Sequence, residues 1–76
     1  MGSLSILDPS VGDLRVIWDS ENEDEIELAK KQFKEAKEKG FTAYRVKKSG
    51  KKGEKLEDFD PHAEKIIMVP PVEGAD

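Results

Sequence analysis

Seventy-six residues with 39% charged side chains, no cysteine, one histidine and a formal net charge of −4 describe one small domain with few of the usual stabilising devices. A chain this short buries only about 60% of the surface that its unfolded form exposes. The lack of cysteine excludes disulfides, thiolate metal sites and thiol nucleophiles, and His62 alone makes no zinc cluster. No apolar run approaches the roughly 20 residues of a membrane helix. No signal peptide is read, and Ile6 stands where a myristoylation pattern needs Ser or Thr. The expectation is a soluble, cytoplasmic protein. Asn22 and Gln32 are the sole side-chain amides, so with its many Lys and Glu the composition is thermophile-like.

The charges come in blocks. Residues 1–28 hold eight acids and one base, residues 29–55 eleven bases and three acids, and residues 56–76 six acids and one base. A basic middle between acidic ends reflects either a polarised surface or the electrostatics of a helix.

In chain order, Met1-Gly2-Ser3 reads as a start with a possible cloning remnant, and SLSILD within residues 1–12 as a short strand before a Pro9–Gly12 turn. DLRVIWD (Asp13–Asp19) alternates Leu14, Val16 and Trp18 against Arg15 and Ile17, the period of a strand. SENEDEIELAKKQFKEAKEKGF follows. Asn22 with Glu25, or Ser20 with Glu23, fits a capping box. Acids crowd the start of this segment and Lys37 and Lys39 its last turn, which suits the helix dipole. Gly40 fits the left-handed position past the end, with Phe41 folding back on Ala36. Ile26, Ala29, Phe33 and Ala36 form a narrow apolar stripe with Leu28 at its edge, suited to close packing on a sheet.

TAYRVK (Thr42–Lys47) is the next strand, with Tyr44 and Val46 assigned to the core side and Ala43 and Arg45 to the other. KKSGKKG (Lys47–Gly53) reads as a hairpin tip, GEKLEDF as a weaker strand and Asp60-Pro61 as a turn. KIIMV (Lys65–Val69) is apolar on both faces, and residues 70–76 form an extended, proline-containing tail. The order (β)βαβββ predicts an α/β (α+β) two-layer sandwich in a single domain, residues 1–76, with one helix packed on a sheet of four to five strands.

One helix covers one sheet face. A half-solvated antiparallel strand alternates, and KIIMV does not. Three arrangements compete: this strand is central, the Leu4/Ile6/Leu7 segment folds over it, or a partner covers it. The predicted interaction face comprises Arg15, Ile17, Arg45, Ile67 and Val69, with Pro70 and Pro71 leading an arm that extends away. Lys47, Lys48, Lys51, Lys52 and Lys55 on the hairpin form an alternative site, for a nucleic-acid backbone.

Catalytic patterns are thin. Asp58, Asp60, His62 and Glu64 alternate and would share one face of a strand, but Asp60-Pro61 favours a turn. The acidic run at Asp19–Lys30 lacks the glycine and terminal glutamate of a calcium loop. KKSGKKG lacks phosphate-loop spacing. No catalytic residue, metal site or cofactor is assigned.

VIWD (Val16–Asp19), the acidic-start helix, AYRV (Ala43–Val46), KGE (Lys52–Glu54), FDP (Phe59–Pro61) and VPP (Val69–Pro71) together resemble a group of short uncharacterised microbial proteins associated with phage-like and mobile elements. That resemblance implies an accessory or assembly protein. The order of elements also looks like the ubiquitin-like β-grasp. Conjugation in that family needs a C-terminal Gly-Gly, and this chain ends Glu73-Gly74-Ala75-Asp76, so a non-conjugating module is implied. The expectation is therefore a non-catalytic interaction or assembly protein with a protein partner or a second copy of itself. No membrane and no small-molecule substrate are inferred.

Overall fold

In the computed structural model, which describes residues 1–46 and 53–71, the alternating N-terminal segment is a full strand. Strand β1 (Gly2–Asp8) pairs antiparallel with β2 (Gly12–Trp18) in unbroken register, from Gly2 opposite Trp18 to Asp8 opposite Gly12. The turn between them is held by Asp8, whose Oδ1 accepts from the Ser10 backbone N–H (2.9 Å) and hydroxyl (2.7 Å). Gly12 completes it at φ 92, a conformation side chains other than glycine resist.

Helix α1 (Glu23–Glu38) follows. Asn22 caps it, its Oδ1 accepting from the Asp24 and Glu25 N–H groups. The predicted box closes differently: the Glu25 carboxylate takes the Asp19 N–H (2.7 Å), while the Asn22 N–H goes to the Asp19 carbonyl (2.9 Å). At the other end the Phe41 N–H reaches the Ala36 carbonyl and the Gly40 N–H the Lys37 carbonyl, both 3.0 Å, with Gly40 at φ 95. These two bonds make the Schellman ending expected from the sequence.

Strands β3 (Thr42–Arg45), β4 (Lys55–Leu56) and β5 (Lys65–Val69) complete a mixed five-stranded sheet of order β2-β1-β5-β3-β4. β5 runs parallel to β1 and antiparallel to β3, and β3 antiparallel to β4. The fold is one helix packed on this sheet, as predicted, with the GEKLEDF strand reduced to two residues. Ala29, Phe33 and Ala36 of α1 press on Leu4, Ile6, Trp18, Ala43, Ile66 and Met68, all buried. Leu28, assigned to the edge of the stripe, is 55% exposed and lies outside the core.

The segment between β4 and β5 seals one end of the core. Phe59 stands 4.9 Å from the Trp18 ring and 5.8 Å from Phe33, centroid to centroid. The buried Trp18 indole N–H donates to the Pro61 carbonyl at 3.0 Å, so its one polar atom is satisfied. Gly2 packs flat under that indole, where a Cβ would overlap the ring. Within the Met1-Gly2-Ser3 start, Gly2 is a buried, paired position of β1.

The apolar last strand owes its character first to position. β5 is the central strand of the sheet, and the Leu4/Ile6 segment lies beside it, hydrogen-bonded at its edge, rather than over it.

Candidate interaction face

Register determines which side chains share the face opposite α1. Gly2, Leu4 and Ile6 point toward the helix, so Ser3, Ser5 and Leu7 point away. One row crosses all five strands on that open side: Arg15, Ser5, Ile67, Tyr44 and Lys55. Beside it run Ile17, Ser3 and Lys65 on one flank, and Asp13 with Leu7 and Val69 with Thr42 on the other.

The face has relief. The small side chains of Ser3 and Ser5 floor a shallow channel between Ile17 and Arg15 on β2 and Ile67 and Tyr44 on β5 and β3. Ile17 is 53% exposed and Leu7 37%, while Ile67, Val69 and Tyr44 are half-buried. Among the described residues three bases, Arg15, Lys55 and Lys65, stand around this apolar centre against one acid on the paired rows, Asp13. Lys55 reaches Glu57 at 4.0 Å, a separation worth little at an exposed surface.

Of the predicted face residues, Arg15, Ile17, Ile67 and Val69 do share the open side. Arg45 does not. It pairs with Ile66, on the helix side of the sheet, where its guanidinium meets Asp60 at 3.2 Å and Glu54 at 3.7 Å. Ala43, likewise assigned to the open face, pairs with Met68 and is fully buried, and Tyr44, assigned to the core, faces out. The reason lies upstream. The Schellman turn delivers Phe41 into the core, and alternation then turns residues 43 and 45 inward and 44 outward.

Nor do the first tail residues extend freely away. Pro71 lies against the helix end, where a Cβ on Gly40 would stand 3.6 Å from its ring. Of the hairpin lysines, Lys47, Lys48, Lys51 and Lys52 lie outside the described residues, and Lys55 sits in β4 on the open side. Sequence reasoning missed Ser5, Tyr44, Lys55 and Lys65 as members of this face; the parity set by Phe41 was the signal for Tyr44.

Two hollows elsewhere on the surface differ in character. The acidic one at Asp19–Asp24 is the capping structure of α1. A groove of about 440 Å³ runs along α1 past Lys30, Lys34 and Lys37, floored by Phe33 and Phe59. Glu38, Glu57 and Asp58 balance its lysines, and Lys37 pairs with Glu57 at 3.8 Å, so it prefers neither sign of charge. Asp60 is occupied by its own turn, accepting from the His62 N–H at 2.9 Å and from Arg45. Among the described residues no three His, Asp or Glu side chains converge as a metal site, and no helix is long and apolar enough to cross a membrane. The chain matches no protein-family model, no curated protein and no solved structure.

Proposed function

We propose that this protein is a non-catalytic interaction module that binds a protein partner through the helix-free face of its sheet. The observation carrying this reading is the uncovered row on the two central strands and their neighbours. Ile67 and Val69 flank the serine-floored channel with Ile17 across it, and among the described residues no helix or strand lies over these three. A contiguous apolar surface with a polar rim is what binding sites present.

The occupant of this face is a segment with an apolar ridge and acidic flanks. Arg15, Lys55 and Lys65 favour such a partner. Two copies of this face set against each other would crowd six such bases around two copies of Asp13, which disfavours self-pairing here. The strand order β2-β1-β5-β3-β4, with the first and last strands parallel at its centre, supports the β-grasp reading of the fold.

The test is capture from the native source with wild-type protein and three variants. Ile67→Asp and Lys65→Glu alter the face; Leu28→Asp alters the exposed side of α1. A captured protein lost with the first two and kept with the third supports the reading. One retained by Ile67→Asp, while circular dichroism shows that variant folded, ends it. Capture of a polynucleotide instead, with affinity falling steeply as salt rises, would favour the hairpin lysines as the working surface.

A further inference from the structure

The large apolar side chains that remain exposed are unevenly placed. Val11 (80%), Leu14 (43%), Ile17 and Leu7 all belong to the β1–β2 hairpin. The hairpin also supplies one end of the sheet. β2 is an edge strand of seven residues, without proline and with an unbroken ladder to β1, so its outer backbone groups form a continuous row with no strand beside them among the described residues. The opposite edge, β4, is two residues long. Proteins normally blunt a long edge with proline, a bulge or a charged patch of one sign; β2 carries one acid and one base, two residues apart, and neither Asp13 nor Arg15 makes an ion pair among the described residues.

We propose that this edge pairs antiparallel with β2 of a second copy, in the register that sets Leu14 opposite Leu14. A two-fold axis perpendicular to the sheet allows only registers centred on one residue, because directly opposed side chains point to the same side. Centring on Asp13 opposes two acids, and centring on Arg15 opposes two bases. Centring on Val16 places Asp13 against Asp19 and leaves Arg15 facing Ile17. Of these registers the Leu14 one alone opposes unlike charges: each Asp13 faces the second copy's Arg15 on the open side. On the helix side the two Leu14 side chains meet over a small cleft, about 80 Å³, that Ile6 and Phe41 also line. The product is a continuous ten-stranded sheet with two open faces side by side, a bivalent surface for a partner with acidic flanks. The pairing itself uses the edge and stands whether or not that face binds anything.

Sedimentation equilibrium from micromolar to millimolar protein tests it. The wild-type mass is expected to rise from the 8.5 kDa of one chain toward twice that value. Arg15→Asp opposes acids at both ends of the contact and is expected to weaken association about tenfold or more. The double variant Asp13→Arg with Arg15→Asp restores opposite charges in the same register and is expected to recover wild-type association. All these positions are exposed, and circular dichroism checks that each variant folds. Ile67→Asp, on a central strand, leaves the pairing intact and so separates its failure from that of the open face. A chain that stays monomeric at millimolar concentration, an Arg15→Asp variant that associates like wild type, or a double variant that fails to recover would each overturn the proposal.

Discussion

Ile66 and Met68 of β5 are fully buried beneath α1, whereas Ile67 and Val69, their immediate neighbours on the same strand, are half-exposed on the side opposite the helix. The four side chains are of similar size and hydropathy, and a four-residue apolar run cannot by itself reveal that they do different work. On the helix side each side chain is wedged among others: Ala43 is opposite Met68, Phe33 touches Phe59, and Phe59 touches Trp18. On the open side Ile67 has Ser5 on one flank and Tyr44 on the other, with no helix or strand of the described residues above. Packing constrains the first set, so truncation there costs transfer energy and leaves a cavity. The second set is constrained only along the sheet, so its identity bears on contact with something else.

The sharpest way to break the comparison is at the covered end. Trp18→Ala removes the largest fully buried side chain together with its hydrogen bond to Pro61. The expected loss is about 3–5 kcal/mol, a large share of the roughly 5–15 kcal/mol that holds an ordinary domain together. Far-UV circular dichroism during urea titration should show the midpoint moved strongly toward zero denaturant at little-changed slope. Near wild-type stability would mean that Trp18 and Phe59 do not close the core as described.

The paired truncations Met68→Ala and Ile67→Ala test the comparison itself on adjacent residues. Met68→Ala is expected to cost about 2–5 kcal/mol and Ile67→Ala about 1 kcal/mol, read as the shift in urea midpoint at unchanged slope. Equal losses would show that the open face is as tightly covered as the other, and the interaction reading would fall with it.

Much of this arrangement is legible in the residues. Asn22, Gly40 and the Ile26–Ala36 stripe mark the helix because capping and period are local properties. KIIMV and DLRVIW mark two strands for the same reason. SLSILD carries a clear alternation, Leu4 and Ile6 against Ser3 and Ser5, yet its length gives no hint that it sits next to the centre of the sheet. What misleads is TAYR. Hydropathy favours Tyr44 over Ala43 for the interior, but the turn at Gly40 places Phe41 first, and parity overrides preference. Arg45 then points to the helix side and is tolerated there because it lies at the sheet end, with Asp60 and Glu54 to hold it. Such pairings join residues nine and fifteen positions apart in sequence, beyond the reach of any local pattern. The open face is therefore only half legible: its β2 and β5 members follow from alternation, its β3 and β4 members from tertiary register.

A smaller effect is expected at the helix start. Asn22→Ala strands the Asp24 and Glu25 N–H groups that its side chain accepts, at a cost of about 1 kcal/mol. Thermal denaturation should show a modest drop in Tm, and Asn22→Asp should retain most of the wild-type value, since a carboxylate accepts the same bonds and favours the positive end of the dipole. A drop of equal size in both variants would assign the loss to something other than the cap.

The smallest effect lies in the β1–β2 turn and is read most cleanly as a titration. The Ser10 hydroxyl, and after it the Ser10 backbone N–H, donate to the Asp8 carboxylate and hold its pKa below the ordinary value of 3.8. A depressed carboxylate pKa means that the folded state prefers the charged form. The contribution to stability is therefore present above pH 3.8 and is lost as pH falls through the lowered folded value. Ser10→Ala removes the larger of the two causes and should move the Asp8 pKa upward, as followed by NMR of its side-chain carboxyl carbon. The stability gap between wild type and Ser10→Ala should be open at neutral pH and close under acid. An Asp8 titration identical in the two proteins would show that the hydroxyl does not hold this turn. The same turn carries Val11 to the end of the exposed edge strand, so a loosened turn in Ser10→Ala should also weaken any association through β2, in proportion to how often the turn is open.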